Sequence, residues 1–282
     1  MLTRGDKGPA VTQLQGNLIA LGYPLPRWGA DGDLGNETLD AVTHFLADHN
    51  DGNPDADANT VSDEELALVQ KTRDATTWPI PVPGRMFYDL RAEAGRSGVG
   101  DRRAWAKITG ITLHQTACDF GAEKASRWDS LHAHLGASRE GNVFWVHDLE
   151  FVVYHANELN KPTVGLECEG LYAGIAGDPS SVAVPPGGRI LTPTPELAKA
   201  AQDAIRWICA TVAAHGGVVV NLYAHRQTAN TRRADPGEEL WKAVALPMMD
   251  ELGLTDGGPT FKIDNGRVIP EAWNPEYKGG AF

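Results

Sequence analysis

Two histidines and one aspartate are spaced so that they could hold a metal ion. His114 ends a β-rich run over residues 108–113, and His225 follows a second such run over residues 218–223. Asp235 comes ten positions after His225. Two imidazoles and one carboxylate leave a fourth tetrahedral position for water, which is typical of catalytic rather than structural zinc. The spacing alone also fits histidines that only form hydrogen bonds at the ends of strands.

A carboxylate that could move protons lies in a third apolar run, residues 164–169. Period-two alternation along this run predicts a strand with two different faces. One face carries Val164, Leu166 and Cys168, and the other carries Gly165, Glu167 and Glu169. A glutamate beside a metal can act as a general base and then as a general acid. Alternation alone cannot separate Glu167 from Glu169.

The elements that must position these residues form a mixed pattern of strands and helices. Residues 143–147 and 151–155 predict two more strands, and the short turn between them leads us to expect a hairpin. Thr194 is suited to cap a helix that starts with Pro195, and this helix leads to the strand over residues 218–223. The pattern predicts an α+β or α/β catalytic domain whose central mixed β-sheet is flanked by helices.

The first part of the chain predicts a small three-helix bundle. Apolar residues recur at spacings of three and four over residues 11–21 and 38–47, which is the pattern of amphipathic helices. A third helix begins at Ser62, where Glu65 is placed to complete a capping box. A turn at residues 31–35 joins the first two helices, and its acidic residues lack the spacing of a calcium-binding EF-hand loop.

Alternate prolines mark the boundary between the two parts. Pro79, Pro81 and Pro83 favour an extended backbone and exclude a helix there. We therefore divide the chain into an N-terminal domain (residues 1–75), a proline-rich linker (76–95), a catalytic domain (96–254) and a C-terminal tail (255–282). The loop-like tail could pack on the catalytic domain or fray.

Composition excludes several classes of partner. The net charge of −12 over 282 residues repels phosphate backbones and anionic lipids, so we expect neither nucleic acid nor membrane as a partner. The three cysteines are far apart and form no C-x-x-C pair, which argues against a disulfide framework. No window approaches the roughly 18 apolar residues of a membrane span, and the N-terminal residues lack the apolar stretch of a signal peptide. We expect a protein made in the cytoplasm.

Five blocks in the second part resemble the zinc-dependent N-acetylmuramoyl-L-alanine amidases of type 2. That superfamily includes phage endolysins and peptidoglycan recognition proteins. In chain order the blocks are Thr112-Leu113-His114-Gln115-Thr116, Ala133-His134, Tyr154-His155-Ala156, Val164-Gly165-Leu166-Glu167, and Ala224-His225-Arg226 followed by Asp235-Pro236-Gly237. The resemblance implies that His114, His225 and Asp235 bind Zn²⁺.

The same resemblance implies roles for residues around the metal. Glu167 matches the catalytic glutamate of the family. Arg233 stands where many members carry a catalytic lysine; a guanidinium can stabilise an oxyanion, but it stays protonated and cannot deliver a proton. Ala133 replaces a tyrosine found in some members. His134 and His155 fall in blocks that line the cleft, and they either contact substrate or orient their neighbours as core histidines.

The N-terminal part resembles the type 1 peptidoglycan-binding domains. The matching elements are Gly5-Asp6-Lys7-Gly8-Pro9-Ala10-Val11, Leu14-Gln15, Leu18, Leu21-Gly22-Tyr23, Asp31-Gly32-Asp33-Leu34-Gly35, Thr38, Ala41-Val42 and Phe45. The resemblance implies that this domain anchors the protein to peptidoglycan. Taken singly, most of the matched positions only build the helix bundle.

Together the two resemblances imply a monomeric peptidoglycan hydrolase. It would cleave the amide bond between N-acetylmuramic acid and L-alanine, with Glu167 passing a proton from water to the leaving amine and Arg233 stabilising the oxyanion. The absence of a signal peptide favours a phage or prophage endolysin that a holin-type pore releases to the cell wall. The alternatives are a non-catalytic peptidoglycan recognition protein on the same fold, and an inhibitor or signalling module.

Overall fold

The computed structural model describes residues 1–49 (except 22, 24, 26 and 29), 59–76, 87–120 (except 93 and 96) and 125–282. The chain divides into two compact units, Met1–Pro79 and Ile80–Phe282. The prolines that predict the linker lie outside the described residues. Each unit is therefore considered by itself.

Three helices and a small sheet make up the described part of the first unit. The elements are β1 (Leu2–Thr3), α1 (Pro9–Ala20), α2 (Asn36–His49), β2 (Thr60–Val61) and α3 (Asp63–Thr76), with β1 antiparallel to β2. The capping box at the start of α3 is confirmed, since the Ser62 amide donates to the Glu65 carboxylate at 2.6 Å and the Glu65 amide donates to Ser62 Oγ at 3.1 Å. Apolar residues from these elements share one core, which includes Leu14, Leu18, Leu34, Phe45 and Val69.

The second unit is built around a six-stranded sheet. Its strands are β3 (Phe87–Asp89), β4 (Val99–Arg102), β5 (Gly110–Gln115), β6 (Leu135–Ala137), β7 (Val143–Trp145), β8 (Phe151–Val153), β9 (Thr163–Cys168) and β10 (Asn221–Ala224). The sheet has the order β10-β5-β9-β6-β7-β3, while β4 and β8 form a separate antiparallel pair. Residues 87–89, which the sequence analysis placed in the linker, form the edge strand of this sheet.

Helices flank the sheet, as the sequence predicts. They are α4 (Ala125–Trp128), α5 (Pro195–Ala214) and a continuous helical stretch over Glu238–Leu240, Trp241–Ala245 and Leu246–Leu252. The Thr194 cap of α5 is confirmed, because its side chain accepts the amide of Leu197 at 3.1 Å. The sheet is mixed, since β6 and β7 are antiparallel and the other pairs are parallel. None of the helices in the described ranges has the length and hydrophobicity that a membrane span requires.

The register of the three parallel strands brings the predicted chemistry to one edge of the sheet. In β10, β5 and β9, Ala224 pairs with Leu113 and His114 pairs with Glu167. His225 follows β10 directly. Because parallel strands end on the same side, the last residues of these strands lie next to one another.

The predicted hairpin between residues 143–147 and 151–155 is wrong. β7 pairs with β6 and β3, and β8 pairs with β4 instead. The acidic residues between the two strands explain the difference. Asp148 and Glu150 are buried and contact Arg102 at 3.5 and 3.1 Å, so they connect the start of β8 to β4.

The strand before His225 also begins later than predicted. β10 starts at Asn221, and the side chains of Val218 and Val220 are 65% and 45% exposed. The amides of Val220 and Asn221 both donate to the carbonyl of Thr109, at 3.0 and 3.2 Å, which interrupts regular pairing at this point. The apolar run over residues 218–223 therefore includes three residues that precede the strand.

Candidate metal centre

The structure brings His114, His225 and Asp235 together in one buried cluster. His114 Nδ1 lies 2.9 Å from His225 Nδ1, and His225 Nδ1 lies 3.0 Å from Asp235 Oδ2. One potential ligand atom from each residue lies within 4.8 Å of those of the other two. All three side chains are buried. The cluster therefore contains the nitrogen and oxygen donors that zinc prefers, at the spacing of ligands to one ion.

Backbone groups fix the position of Asp235. Its Oδ1 accepts the amide of Gln115 at 3.0 Å, and its carbonyl accepts the amide of Arg226 at 3.0 Å. The side-chain amide of Gln115 also donates to Ala234 at 2.6 Å. Gln115 is not among the predicted site residues, although it follows His114 directly in the first of the five blocks that carry the resemblance. One carboxylate oxygen and the backbone carbonyl of Asp235 are thus held in place before any ligand binds.

Burial keeps His114 in the state that binds metals. Burial first, and then the nearby His225 and His155, hold the pKa of His114 well below its usual value. A neutral imidazole has a free nitrogen lone pair, which metal coordination requires. The donor set and the neutral state of His114 both fit zinc, so the residues present satisfy the chemistry of such a site.

A second histidine orients the first. His114 Nε2 lies 2.9 Å from His155 Nδ1, and His155 Nε2 lies 3.5 Å from the carbonyl of Thr163. If His114 presents Nδ1 to a metal, its Nε2–H donates to His155, and His155 Nε2–H points to Thr163. Burial lowers the pKa of His155 to about 3, so the ring is neutral and can accept this hydrogen bond. Gly165 leaves room for the ring, because a Cβ there would lie 2.9 Å from it.

His155→Ala should weaken zinc binding by about 10- to 100-fold, because His114 would lose the acceptor that fixes its tautomer. Competition with a chromophoric chelator measures the change. His155→Asn is the matched variant, since the amide oxygen can accept the His114 proton. It should recover much of the affinity, and equal losses in both variants would contradict an orienting role.

Glu167 and Glu169 have different surroundings. Glu167 lies within β9 opposite His114, and its Oε2 is buried without a hydrogen-bond partner among the described residues. Burial first, and then the charge of Asp235, raise the pKa of Glu167 to about 8. Glu169 lies beyond the end of β9, and its carboxylate accepts the amides of Phe120 and Arg139 at 2.7 and 2.9 Å. Only Glu167 has an oxygen left for a reaction.

Arg233 and Arg232 face different parts of the protein. Arg233 is exposed, donates to the carbonyl of Ser180 at 3.3 Å and lies 5.6 Å from the Phe282 ring. In the described ranges it forms no hydrogen bond with Glu167. The charge of Arg232 instead lowers the pKa of Glu167, although burial outweighs it. Residue type alone does not distinguish these adjacent arginines, and the choice of Arg233 depends on the family resemblance.

His134 is enclosed by protein atoms. Its Nδ1 accepts the amide of Gly165 at 2.9 Å, and its Nε2 lies 2.9 Å from the carbonyl of Phe151. The side chain is fully buried, as is that of Ala133. Both ring nitrogens of His134 are therefore already used, which favours the alternative of a core histidine over direct contact with substrate.

Comparison with known proteins agrees with this geometry. Residues 104–238 match the family model Amidase_2, described as N-acetylmuramoyl-L-alanine amidase. The matched range lies within the second unit. All of the predicted site residues lie within it, namely His114, His134, His155, Glu167, His225, Arg233 and Asp235. The first unit and the tail over residues 255–282 lie outside the matched range.

Curated relatives match a short part of the chain. A probable N-acetylmuramoyl-L-alanine amidase from Bacillus licheniformis is 48% identical over 42 residues, and the amidase CwlL from the same organism is 50% identical over 42 residues. Each match covers 15% of this chain and 12% of the relative. The chain therefore matches only about an eighth of the length of these relatives.

Solved structures resemble part of this chain at low identity. The endolysin LysCS from Clostridium intestinale URNW is 14% identical with a TM-score of 0.40, covering 62% of this chain and 98% of that chain. Drosophila PGRP-LB is 15% identical with a TM-score of 0.38, covering 55% and 90%. The Ph2119 endolysin from a Thermus scotoductus bacteriophage is 17% identical with a TM-score of 0.36, covering 60% and 99%.

Proposed function

We propose that this protein is a zinc-dependent N-acetylmuramoyl-L-alanine amidase. It would hydrolyse the amide bond between N-acetylmuramic acid and L-alanine in bacterial peptidoglycan. The observation that carries the proposal is the convergence of His114, His225 and Asp235 beside the buried, unpaired oxygen of Glu167, all within the Amidase_2 domain.

The three clustered residues would hold the ion, and the surrounding contacts prepare them for it. His114 is neutral and oriented by His155, while Asp235 is oriented by the Gln115 amide. A zinc ion bound here would supply Lewis-acid chemistry, polarising the scissile carbonyl and lowering the pKa of water. The protein supplies a preformed set of donors in which little rearrangement is needed.

Glu167 is suited to carry the proton. Its carboxylate would accept a proton from the attacking water and then donate it to the nitrogen of the leaving amine. Without a metal its pKa is about 8, and the positive charge of a nearby cation would lower that pKa. Arg233 remains the predicted oxyanion donor, and Arg232 is a second guanidinium whose charge reaches Glu167. His134 would support the site from within the core.

Elemental analysis combined with peptidoglycan digestion tests this proposal. We expect stoichiometric zinc in the purified protein and the release of free L-alanyl amino termini from purified peptidoglycan. Stoichiometric zinc without new amino termini would rule out the hydrolase and leave the alternative of a peptidoglycan recognition protein. Full release of amino termini by protein that holds no metal would contradict the zinc mechanism.

We further propose that the N-terminal domain, residues 1–75, is a peptidoglycan-binding three-helix domain. Its separate core supports independent folding. Trp28 is 62% exposed, and the Glu37 carboxylate accepts the amides of Arg27 and Trp28 at 2.9 and 3.1 Å, so the indole is held on the surface where it could stack on a sugar. Anchoring would raise the local concentration of substrate for the domain over residues 96–254.

Removing the unit Met1–Pro79 should weaken sedimentation with insoluble peptidoglycan by about 10²-fold or more, because the tethering contribution is lost. Hydrolysis of a soluble muropeptide should stay near the wild-type rate, since the proposed metal centre lies in the other unit. A Trp28→Ala variant of the full chain keeps the whole N-terminal unit. Weaker sedimentation of this variant would therefore report the loss of a specific contact with peptidoglycan. Unchanged sedimentation of the truncated protein would contradict the anchoring role.

A peptidoglycan substrate would require the protein to act at the bacterial cell wall. We propose that it acts there as a monomeric endolysin of phage or prophage type, delivered from the cytoplasm through a holin-type pore. The supporting observation is the match of residues 104–238 to the Amidase_2 family model. Separately, the net charge of −12 disfavours nucleic acid and anionic membranes as partners.

A further inference from the structure

The C-terminal segment, residues 255–282, packs on the loop that follows His225. The amide of Ile263 donates to the carbonyl of Gln227 at 2.8 Å, and the amide of Arg267 donates to the carbonyl of Arg226 at 2.8 Å. Of the two possibilities that the sequence left open, packing rather than fraying is what the structure shows. The segment therefore satisfies the backbone of the two residues next to a proposed zinc ligand.

Arg226 is the centre of this contact. Its side chain is fully buried, with the guanidinium carbon 4.7 Å from the centre of the Trp273 ring and 4.9 Å from that of Phe282. Its Nε and Nη2 have no hydrogen-bond partner in the described part of the chain. A guanidinium stays protonated in proteins, so this buried group is a cation. Besides one hydrogen bond from Nη1, two aromatic faces contact it and stabilise its charge.

The same arginine closes the loop between two proposed ligands. Its Nη1 donates to the carbonyl of Arg233 at 2.6 Å, and its backbone amide donates to the carbonyl of Asp235 at 3.0 Å. These bonds join the beginning of the loop over residues 226–235 to its end. His225 precedes this loop and Asp235 is its last residue. The distance between them therefore depends on the position of the Arg226 side chain.

Trp273 and Phe282 both contact Gly174 on their other side. Trp273 is fully buried, and its indole N–H donates to the carbonyl of Gly174. The Phe282 ring packs against Gly174 so closely that a Cβ at that position would lie 2.1 Å from it. Gly174 therefore provides both a hydrogen-bond acceptor and the space that the ring needs.

We propose that Trp273 and Phe282 are positioning residues for the metal centre. They hold the Arg226 guanidinium in place, which keeps the loop over residues 226–235 closed and sets the spacing of His225 and Asp235. The effect of these two residues on loop closure does not depend on the proposed function. Their effect on zinc affinity rests on that function.

Three variants of the full chain test this proposal. Trp273→Leu removes one aromatic face, and Gly174→Ala displaces Phe282 with a much smaller change. Trp207→Leu is the matched control, because Trp207 is equally buried in α5 but packs on Trp145. Amide hydrogen exchange of the metal-free protein reports on loop closure, and chelator competition reports on zinc affinity. The absorption spectrum of the cobalt-substituted protein reports on ligand geometry.

We expect both Trp273→Leu and Gly174→Ala to accelerate exchange of the Arg226 and Asp235 amides by about tenfold relative to Trp207→Leu. Zinc affinity should fall by about tenfold, with an altered cobalt spectrum, as when contacts behind a ligand are lost. Equal exchange in the Trp273 and Trp207 variants, or wild-type exchange in Gly174→Ala, would overturn the proposal. If the wild-type protein bound no zinc, the proposed function would fail while the exchange result would still decide this inference.

Discussion

Replacing His225 with alanine is expected to abolish both zinc binding and the hydrolysis of peptidoglycan. His225 contributes the nitrogen that lies 2.9 Å from His114 Nδ1 and 3.0 Å from Asp235 Oδ2, so it occupies the middle of the cluster. Only two of the three protein donors would remain, which is too few for a catalytic zinc site. Elemental analysis and the release of L-alanyl amino termini measure the two losses.

His215→Ala is the control for this variant. His215 lies at the end of α5, stacks on Trp105 with ring centres 4.1 Å apart and contacts the carbonyl of Thr211 at 2.8 Å. It should keep wild-type zinc content and turnover even if it unfolds at a lower temperature. A His225→Ala protein with full zinc and full turnover would show that the ligand assignment is wrong.

Glu167→Gln should retain zinc but lower kcat by about 10² to 10⁴, because the amide can no longer accept a proton from water. The substitution keeps the size of the side chain, and the three proposed ligands are untouched. Steady-state kinetics on a soluble muropeptide, together with zinc analysis of the same sample, separates the loss of proton transfer from the loss of metal.

The neighbouring carboxylate provides the matched comparison. Glu169→Gln weakens two charge-assisted hydrogen bonds to the amides of Phe120 and Arg139, so it should lower the melting temperature. Its kcat should stay close to the wild-type value. If Glu169→Gln lost turnover and Glu167→Gln did not, the catalytic position would lie two residues further along the chain.

The positions of the two candidate histidine ligands could be predicted from the sequence because each follows a short apolar run, whereas Asp235 was assigned through the family resemblance. Such runs fit buried parallel strands, and the ends of parallel strands meet at one edge. The structure places His114 at that edge in β5 and His225 directly after β10. The two glutamates needed more information, because alternation does not show that β9 ends at Cys168 and leaves Glu169 outside the strand.

Other features depended on contacts between residues far apart in the chain. The hairpin expected around residues 148–150 does not form, because Asp148 and Glu150 form ion pairs with Arg102 in β4. Likewise, the packing of the C-terminal segment depends on Arg226, whose aromatic neighbours come more than 40 positions later. Local patterns indicate which segments form strands, but the partners of buried charges are set by tertiary structure.

The placement of the proposed ligands has a consequence for the thermodynamics of the whole second unit. His114 and His225 are 111 positions apart, and the three cysteines are free thiols. An ion bound by both histidines would thus cross-link two distant parts of a chain that has no disulfide. Because the ion would bind the folded site and not the unfolded chain, its binding would stabilise the native state, and the melting temperature of this unit should rise with zinc concentration.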